Sequence, residues 1–114
     1  MQVEDILGRD PVKPKDSLLK KNIKGKNVLV TGAGGSIGSE LCRQIIELSP
    51  SKLILVENSE FNLYSIHKEL LKSKKRIEVI PKLSTVTNFH QMNKIVLENS
   101  INTIFHAAAY KHVP

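Results

Sequence analysis

The stretch from Asn27 to Gly38 leaves this chain little choice of fold. Asn27-Val28-Leu29-Val30-Thr31 is a short, valine-rich apolar run, the pattern of a strand covered on both faces. It passes without a spacer into Gly32-Ala33-Gly34-Gly35-Ser36-Ile37-Gly38. From Ser36 the apolar positions switch to helical spacing, at Ile37, Leu41, Ile45 and Leu48. A strand, a glycine turn and a helix in that order call for a right-handed crossover to a parallel neighbour.

The rest of the chain supplies the neighbours. Residues 53–57 are a second apolar run. Residues 59–74 read as a helix, with Ser59 as N-cap and Leu63, Ile66 and Leu70 on one face. A third strand begins at Ile77 and runs toward Leu83. Residues 88–98 read as a helix with Phe89, Met92 and Val96 inward, and Thr103–His106 as a fourth strand beside the first. The order β-α-β-α-β-α-β predicts an α/β fold of Rossmann type, a parallel sheet left incomplete, over residues 27–114. Strands apolar throughout are expected where helices cover both faces. Residues 1–26 are broken by Pro11, Pro14 and Gly25. Apart from one helical turn over residues 3–7, they read as an extended N-terminal connector.

Size and charge narrow the function classes. The 114 residues suffice for one domain. The formal charge is +6, but the lysines fall in two clusters, 13–26 and 68–82, with no interleaved aromatics to stack bases. They read as solvated faces, so no nucleic-acid partner is expected. No apolar run approaches the roughly 20 residues of a membrane span, and the N-terminus lacks the pattern of a secretion signal. Cys42 is the single cysteine and reads as a small residue on a helix. A cytoplasmic setting is the default expectation. The four histidines show no metal-ligand spacing with Cys42 or the carboxylates.

Chemistry is concentrated at strand ends. Gly32 permits the tight turn out of the strand, and Gly34 and Gly35 let backbone approach a pyrophosphate. Gly38 lets the helix pack close to the sheet. The helix start, with Ala33, Ser36 and Ile37 around it, offers free N–H groups and a partial positive charge. No Lys-Ser/Thr pair follows the glycines, which disfavours a triphosphatase loop. Glu57 closes strand two, where a carboxylate accepts ribose hydroxyls and repels a ribose phosphate. Asn58 and Ser59 after it are not basic. The expected cofactor is therefore NAD, with NADP less favoured. Ala107, Ala108 and Ala109 at the end of strand four leave room for a ligand against the backbone. Tyr64 and Lys68 have the spacing of a Tyr-x-x-x-Lys dehydrogenase pair, but they follow strand two, at the adenosine end, and read as a surface pair.

Four segments together resemble a known family. They are residues 3–12 (Val-Glu-Asp-Ile-Leu-Gly-Arg-Asp-Pro-Val), residues 30–44 containing the glycine loop, residues 57–64 (Glu-Asn-Ser-Glu-Phe-Asn-Leu-Tyr) and residues 106–114 (His-Ala-Ala-Ala-Tyr-Lys-His-Val-Pro). In order, they look like CapD-type polysaccharide-biosynthesis proteins, extended short-chain dehydrogenases that act as nucleotide-sugar 4,6-dehydratases, typically on UDP-N-acetylglucosamine. The resemblance implies hydride removal from sugar C4 by the oxidised cofactor, loss of water across C5 and C6, and hydride return at C6. It implies adenine contacts at Thr85 and Val86 and a substrate-side role for Lys111. Where the family has Gly-Asp/Ser-Val-x-Asp, this chain has Ser84-Thr85-Val86-Thr87-Asn88.

The family's catalytic segments lie beyond the Lys-His-Val-Pro motif, and long members carry membrane helices and another domain before residue 3. The resemblance thus implies an internal piece, with no catalytic residue of its own and inactive alone. A UDP-sugar would bind only with the missing half supplied, and the open edge of strand four predicts self-association. The alternative is a non-catalytic remnant, or a basic adaptor, that binds nucleotide weakly.

Overall fold

The computed structural model describes residues 16–73 and 75–107. The elements run α1 (Asp16–Ile23), β1 (Asn27–Thr31), α2 (Ser36–Glu47), β2 (Lys52–Glu57), α3 (Glu60–Leu71), β3 (Glu78–Leu83), α4 (Phe89–Glu98) and β4 (Thr103–His106). The four strands form one parallel sheet in the order β3-β2-β1-β4. Val28 lies between Leu53 of β2 and Thr103 of β4, and Thr31 between Val56 and His106. The chain steps outward from β1 through β2 to β3, then crosses back to β4. This is a Rossmann-type α/β fold, and its switch in strand order falls between β1 and β4, where such sheets bind ligands at the carboxyl ends.

The strands divide their side chains between two faces. Val28, Val30, Leu53, Leu55 and Phe105 join Leu41, Cys42 and Ile45 of α2 and Leu63, Ile66 and Leu70 of α3 in the larger core. Leu29, Ile54 and Val56 face Ile95 of α4 in the smaller one. The alternation is the period-two rule of a strand covered on both sides. Cys42 is fully buried, and desolvation pushes its thiol pKa far up, so it packs as a small apolar residue.

Three expectations are corrected. First, residues 16–23 are helical, not extended. Lys20 and Lys21 occupy the last turn, where cations suit the helix dipole. Gly25 stops the helix at φ +71, a left-handed conformation glycine adopts without strain. Ile23 is fully buried in the larger core, and the Asn22 carbonyl accepts from the Thr103 hydroxyl at 2.7 Å. This end of the expected connector is thus part of the folded unit. Residues 3–7, where one turn was expected, lie outside the described residues.

Second, β3 is not apolar throughout. Its residues are exposed or half-buried, none fully buried, because it lies at the sheet edge. Pro81, opposite Leu55, is tolerated at an edge, where a missing N–H breaks no inner ladder. Third, Phe89 points outward at 76% exposure. The inward stripe of α4 centres on Ile95, with Met92 and Val96 beside it, and helical rotation leaves Phe89 on its margin.

Two helices are tied on the outside. Arg43 of α2 makes a two-point contact with Glu69 of α3, at 2.5 and 3.2 Å, and a further bond to Glu40. The hydrogen bond from Arg43 holds the Glu69 carboxyl below its ordinary pKa. A depressed carboxylate adds stability above its unfolded value and loses it as pH falls through the folded one. With about half of each side chain exposed, solvent screening keeps that contribution small.

Ile23→Ala should lower unfolding free energy by about 2–4 kcal/mol, the cost of emptying a core site. Lys20→Ala, on the exposed side of α1, should change it by less than about 0.5 kcal/mol. Urea denaturation measures both, and equal small effects would mean that α1 is only appended.

Candidate functional site

The glycine turn is built by close approach of backbone to backbone. Gly32 sits at φ +65, which takes the chain sharply out of β1. The Gly35 N–H then donates to the Gly32 carbonyl at 3.1 Å, closing the turn. The Ala33 N–H donates to the Val56 carbonyl at 3.1 Å, and Ala33 itself is fully buried. A Cβ on Gly38 would stand 1.9 Å from the Gly32 carbonyl oxygen. Gly38 therefore lets α2 start directly on the turn, somewhat nearer the loop than the sheet contact expected from sequence.

Gly34 has a packing reason to lack a side chain: a Cβ there would lie 2.6 Å from Cβ of Asn62 and 2.7 Å from the Asn62 carbonyl, on α3. Gly34 is needed for packing of the loop against the first turn of α3. Asn62, which the sequence reading did not single out, is that contact. Its signal was its place in the capping turn, three residues after Ser59.

Helix starts differ in how their N–H groups are met. Ser59 caps α3 by accepting from the Asn62 N–H, and Asn88 caps α4 by accepting from the Gln91 N–H. Gly35, the N-cap of α2, has no side chain to do this. The first helical bond there is from the Ser39 N–H to the Gly35 carbonyl, at 2.8 Å. Among the described residues, none accepts from the amides of Ser36, Ile37 and Gly38. Ser36 is exposed, Ile37 half-buried and Gly38 buried. These amides are the donors left free at a helix start, and the dipole gives them a partial positive charge.

Glu57 is 6% exposed and is held from both sides. Its Oε1 accepts from the Gly34 N–H at 2.9 Å, and its Oε2 from the Ser59 N–H at 3.1 Å. Its own carbonyl accepts from the Ser84 N–H at 3.0 Å. The carboxylate thus bridges the glycine turn and the start of α3. An ionised carboxylate has about four acceptor sites, so each oxygen keeps capacity after these bonds. Asn58 beside it is exposed.

The loop after β3 is organised locally. The Ser84 hydroxyl donates to Gln91 Oε1 at 2.8 Å, and the Thr85 and Thr87 hydroxyls bond at 3.2 Å. Thr85 and Val86 remain half-buried next to the carboxyl end of β3. Asn88, where an aspartate was expected from the family pattern, fills the N-cap place an aspartate also fills.

At β4, Ala107 is fully buried and belongs to the larger core. A pairing not foreseen from sequence ties this strand end to β1: Thr31 Oγ1 lies 3.3 Å from His106 Nδ1. Ala108, Ala109 and Lys111 lie outside the described residues. Tyr64 and Lys68 stand on the exposed side of α3, the ammonium 5.8 Å from the ring centre, a surface cation–π pair. No helix among the described residues is long and apolar enough to cross a membrane.

Residues 28–114 match the polysaccharide biosynthesis protein family over most of this chain. The chain belongs to that family. It is 46% identical to the capsular polysaccharide biosynthesis protein CapD of Staphylococcus aureus, and 43% to the probable polysaccharide biosynthesis protein EpsC of Bacillus subtilis. Both matches cover all of this chain and 19% of the relative, so the chain spans about a fifth of their length. Among solved structures it resembles Pen from Bacillus thuringiensis, with TM-score 0.67 and 27% identity, over 80% of this chain and 27% of Pen. Of this family member's described residues, the fold gathers Gly32–Gly38, Glu57, Ser59 and the Ser84–Val86 turn at one end of the sheet.

Gly38→Ala should unfold the chain or cost it several kcal/mol, since the new Cβ meets backbone that cannot swing aside. Glu57→Ala leaves the Gly34 and Ser59 amides without their acceptor and should cost about 1–3 kcal/mol. Thermal or urea unfolding reads both. A Glu57→Ala chain as stable as the parent would show that water replaces the carboxylate at no cost.

Proposed function

We propose that this chain is the cofactor-binding portion of a nucleotide-sugar dehydratase or epimerase of polysaccharide biosynthesis, holding NAD in preference to NADP. The observation that carries the reading is the pairing of two features across one turn. The uncapped start of α2 offers the amides of Ser36, Ile37 and Gly38. Within the same turn, Gly34 donates to the buried Glu57 carboxylate. The first suits a pyrophosphate, because free N–H groups and the dipole favour an anion. The second suits a ribose diol, because a fixed carboxylate accepts hydroxyl donors.

Gly32 and Gly38 shape the arch. Ser36, Ile37 and Gly38 present donors to the phosphates. Glu57, oriented by Gly34 and Ser59, accepts from the ribose, with Asn58 beside it. Thr85 and Val86 border the adenine. Ala107 closes the strand end, and the family resemblance assigns Ala108 and Ala109 to the cofactor and Lys111 to the substrate side. A bound nicotinamide would supply hydride acceptance and return in the whole protein. Among the residues here, none is assigned to acid–base work on the sugar. The chain alone is proposed to be inactive, and UDP-sugar turnover to need the further length its relatives have.

Calorimetry on the purified chain tests the cofactor. NAD should bind at least about tenfold more tightly than NADP, because a 2′-phosphate would meet the Glu57 charge. Equal affinity, or a preference for NADP, would sink the Glu57 assignment. Failure of both to bind would sink the cofactor reading. Separately, the chain incubated with UDP-N-acetylglucosamine and NAD should give no 4-keto-6-deoxy product above a no-protein control. Turnover by the chain alone would show that catalytic residues lie within it.

A further inference from the structure

We propose that α3 is a self-association surface, through which two copies of this chain pair antiparallel about a two-fold axis. Phe61, Tyr64 and Leu71 are exposed by 76%, 62% and 61%. With Lys68 they form one stripe, on the side of α3 turned away from the buried Leu63, Ile66 and Leu70. The chain has only three phenylalanines and two tyrosines, and one of each is spent here, facing out. A contiguous apolar stripe rimmed by polar residues is a feature of contact surfaces, where aromatic residues are enriched.

The stripe has a symmetry that selects its occupant. Its spacings along the helix, from Phe61 to Tyr64 to Lys68 to Leu71, read the same in both directions. Exposed charges of opposite sign flank it, Glu60 before and Lys72 after. A two-fold contact requires one patch to be complementary to itself when reversed. Antiparallel pairing places Phe61 on the partner's Leu71, Tyr64 on the partner's Lys68, and Glu60 on the partner's Lys72. Each meeting is favourable: apolar on apolar, ring on cation, acid on base. Lys68 already stands 5.8 Å from its own Tyr64 ring, so the ammonium is placed at an aromatic face before any partner arrives. Parallel pairing would set Lys68 on Lys68, Lys72 on Lys72 and Glu60 on Glu60, all repulsive. The antiparallel arrangement also opposes the two helix dipoles. The stripe lies on the side of α3 away from Leu63, Ile66 and Leu70, which pack on the sheet.

One helix pair makes a small interface, so the dimer should be weak, with Kd of about 100 μM. Sedimentation equilibrium up to about 1 mM chain measures it. Phe61→Glu and Leu71→Glu should each raise Kd at least about tenfold, since a carboxylate must then be buried in the stripe. Glu60→Lys alone and Lys72→Glu alone should each raise it roughly three- to tenfold, and the double swap should return it near the parent value. All four residues are exposed, and unchanged circular dichroism confirms that the variants fold. Restoration by the double swap supports the antiparallel register, because a merely sticky helix would not recover. A chain that stays monomeric to the top concentration overturns the proposal. So does a dimer that survives both glutamate substitutions, which would place association elsewhere, as at the β4 edge.

Discussion

The contact between the Gly32 carbonyl and Gly38 is the constraint on which the rest of the site depends. Only without a Cβ at position 38 can α2 begin against the turn that leaves β1. That approach sets where the first amides of α2 stand, since the turn is closed by the Gly35 N–H on the same Gly32 carbonyl. It also sets where Gly34 stands. Gly34 in turn must lie against Asn62, which fixes the distance between the turn and the start of α3. Two glycines thus act as spacers between three backbone segments, and a third, Gly32, supplies the left-handed turn. Backbone packed this closely has few alternative arrangements, which is the physical meaning of a preorganised site.

Glu57 is the electrostatic counterpart of that packing. A buried carboxylate is costly unless its acceptor sites are filled. Here the Gly34 and Ser59 amides fill two of them, and both belong to approaches toward helix N-termini, which favour negative charge. The same two bonds supply acceptors to the amides of two half-buried residues, Gly34 and Ser59. The carboxylate is therefore structural before it is functional. Under the proposed function, its orientation toward a ribose costs no rearrangement, because the fold has already fixed it.

The departure from the family pattern after β3 has a conservative physical reading. Ser84 keeps its backbone bond to Glu57 and adds a side-chain bond to Gln91. Asn88 caps α4, with its side-chain amide also bonded to Gln91. The segment is thus a satisfied turn and helix cap. The membership shown by residues 28–114 and the identity to CapD and EpsC stand with an intact local structure at the position where the pattern differs.

Much was legible from sequence, for reasons of local chemistry. The valine-rich runs, the helical spacings and the Ser59 cap each depend on neighbours within a few residues, so the element order and the parallel sheet followed from them. The position of the glycine turn and of Glu57 at strand ends followed too, since strand ends are marked by where apolar runs stop. What the sequence could not supply were meetings between segments far apart in the chain. That Gly34 packs on Asn62, that Glu57 is already engaged by two amides, that Thr31 meets His106, and that Ile23 joins the core were decided only when the sheet was assembled. The helical state of residues 16–23 belongs to this group. An eight-residue polar helix is marginal by itself, and it is burial of Ile23 against the sheet that sustains it. Phe89 shows the same limit from the other side. Its apolar character suggested the core, but the rotation of α4 on Ile95, set by the sheet beneath it, turned Phe89 to solvent.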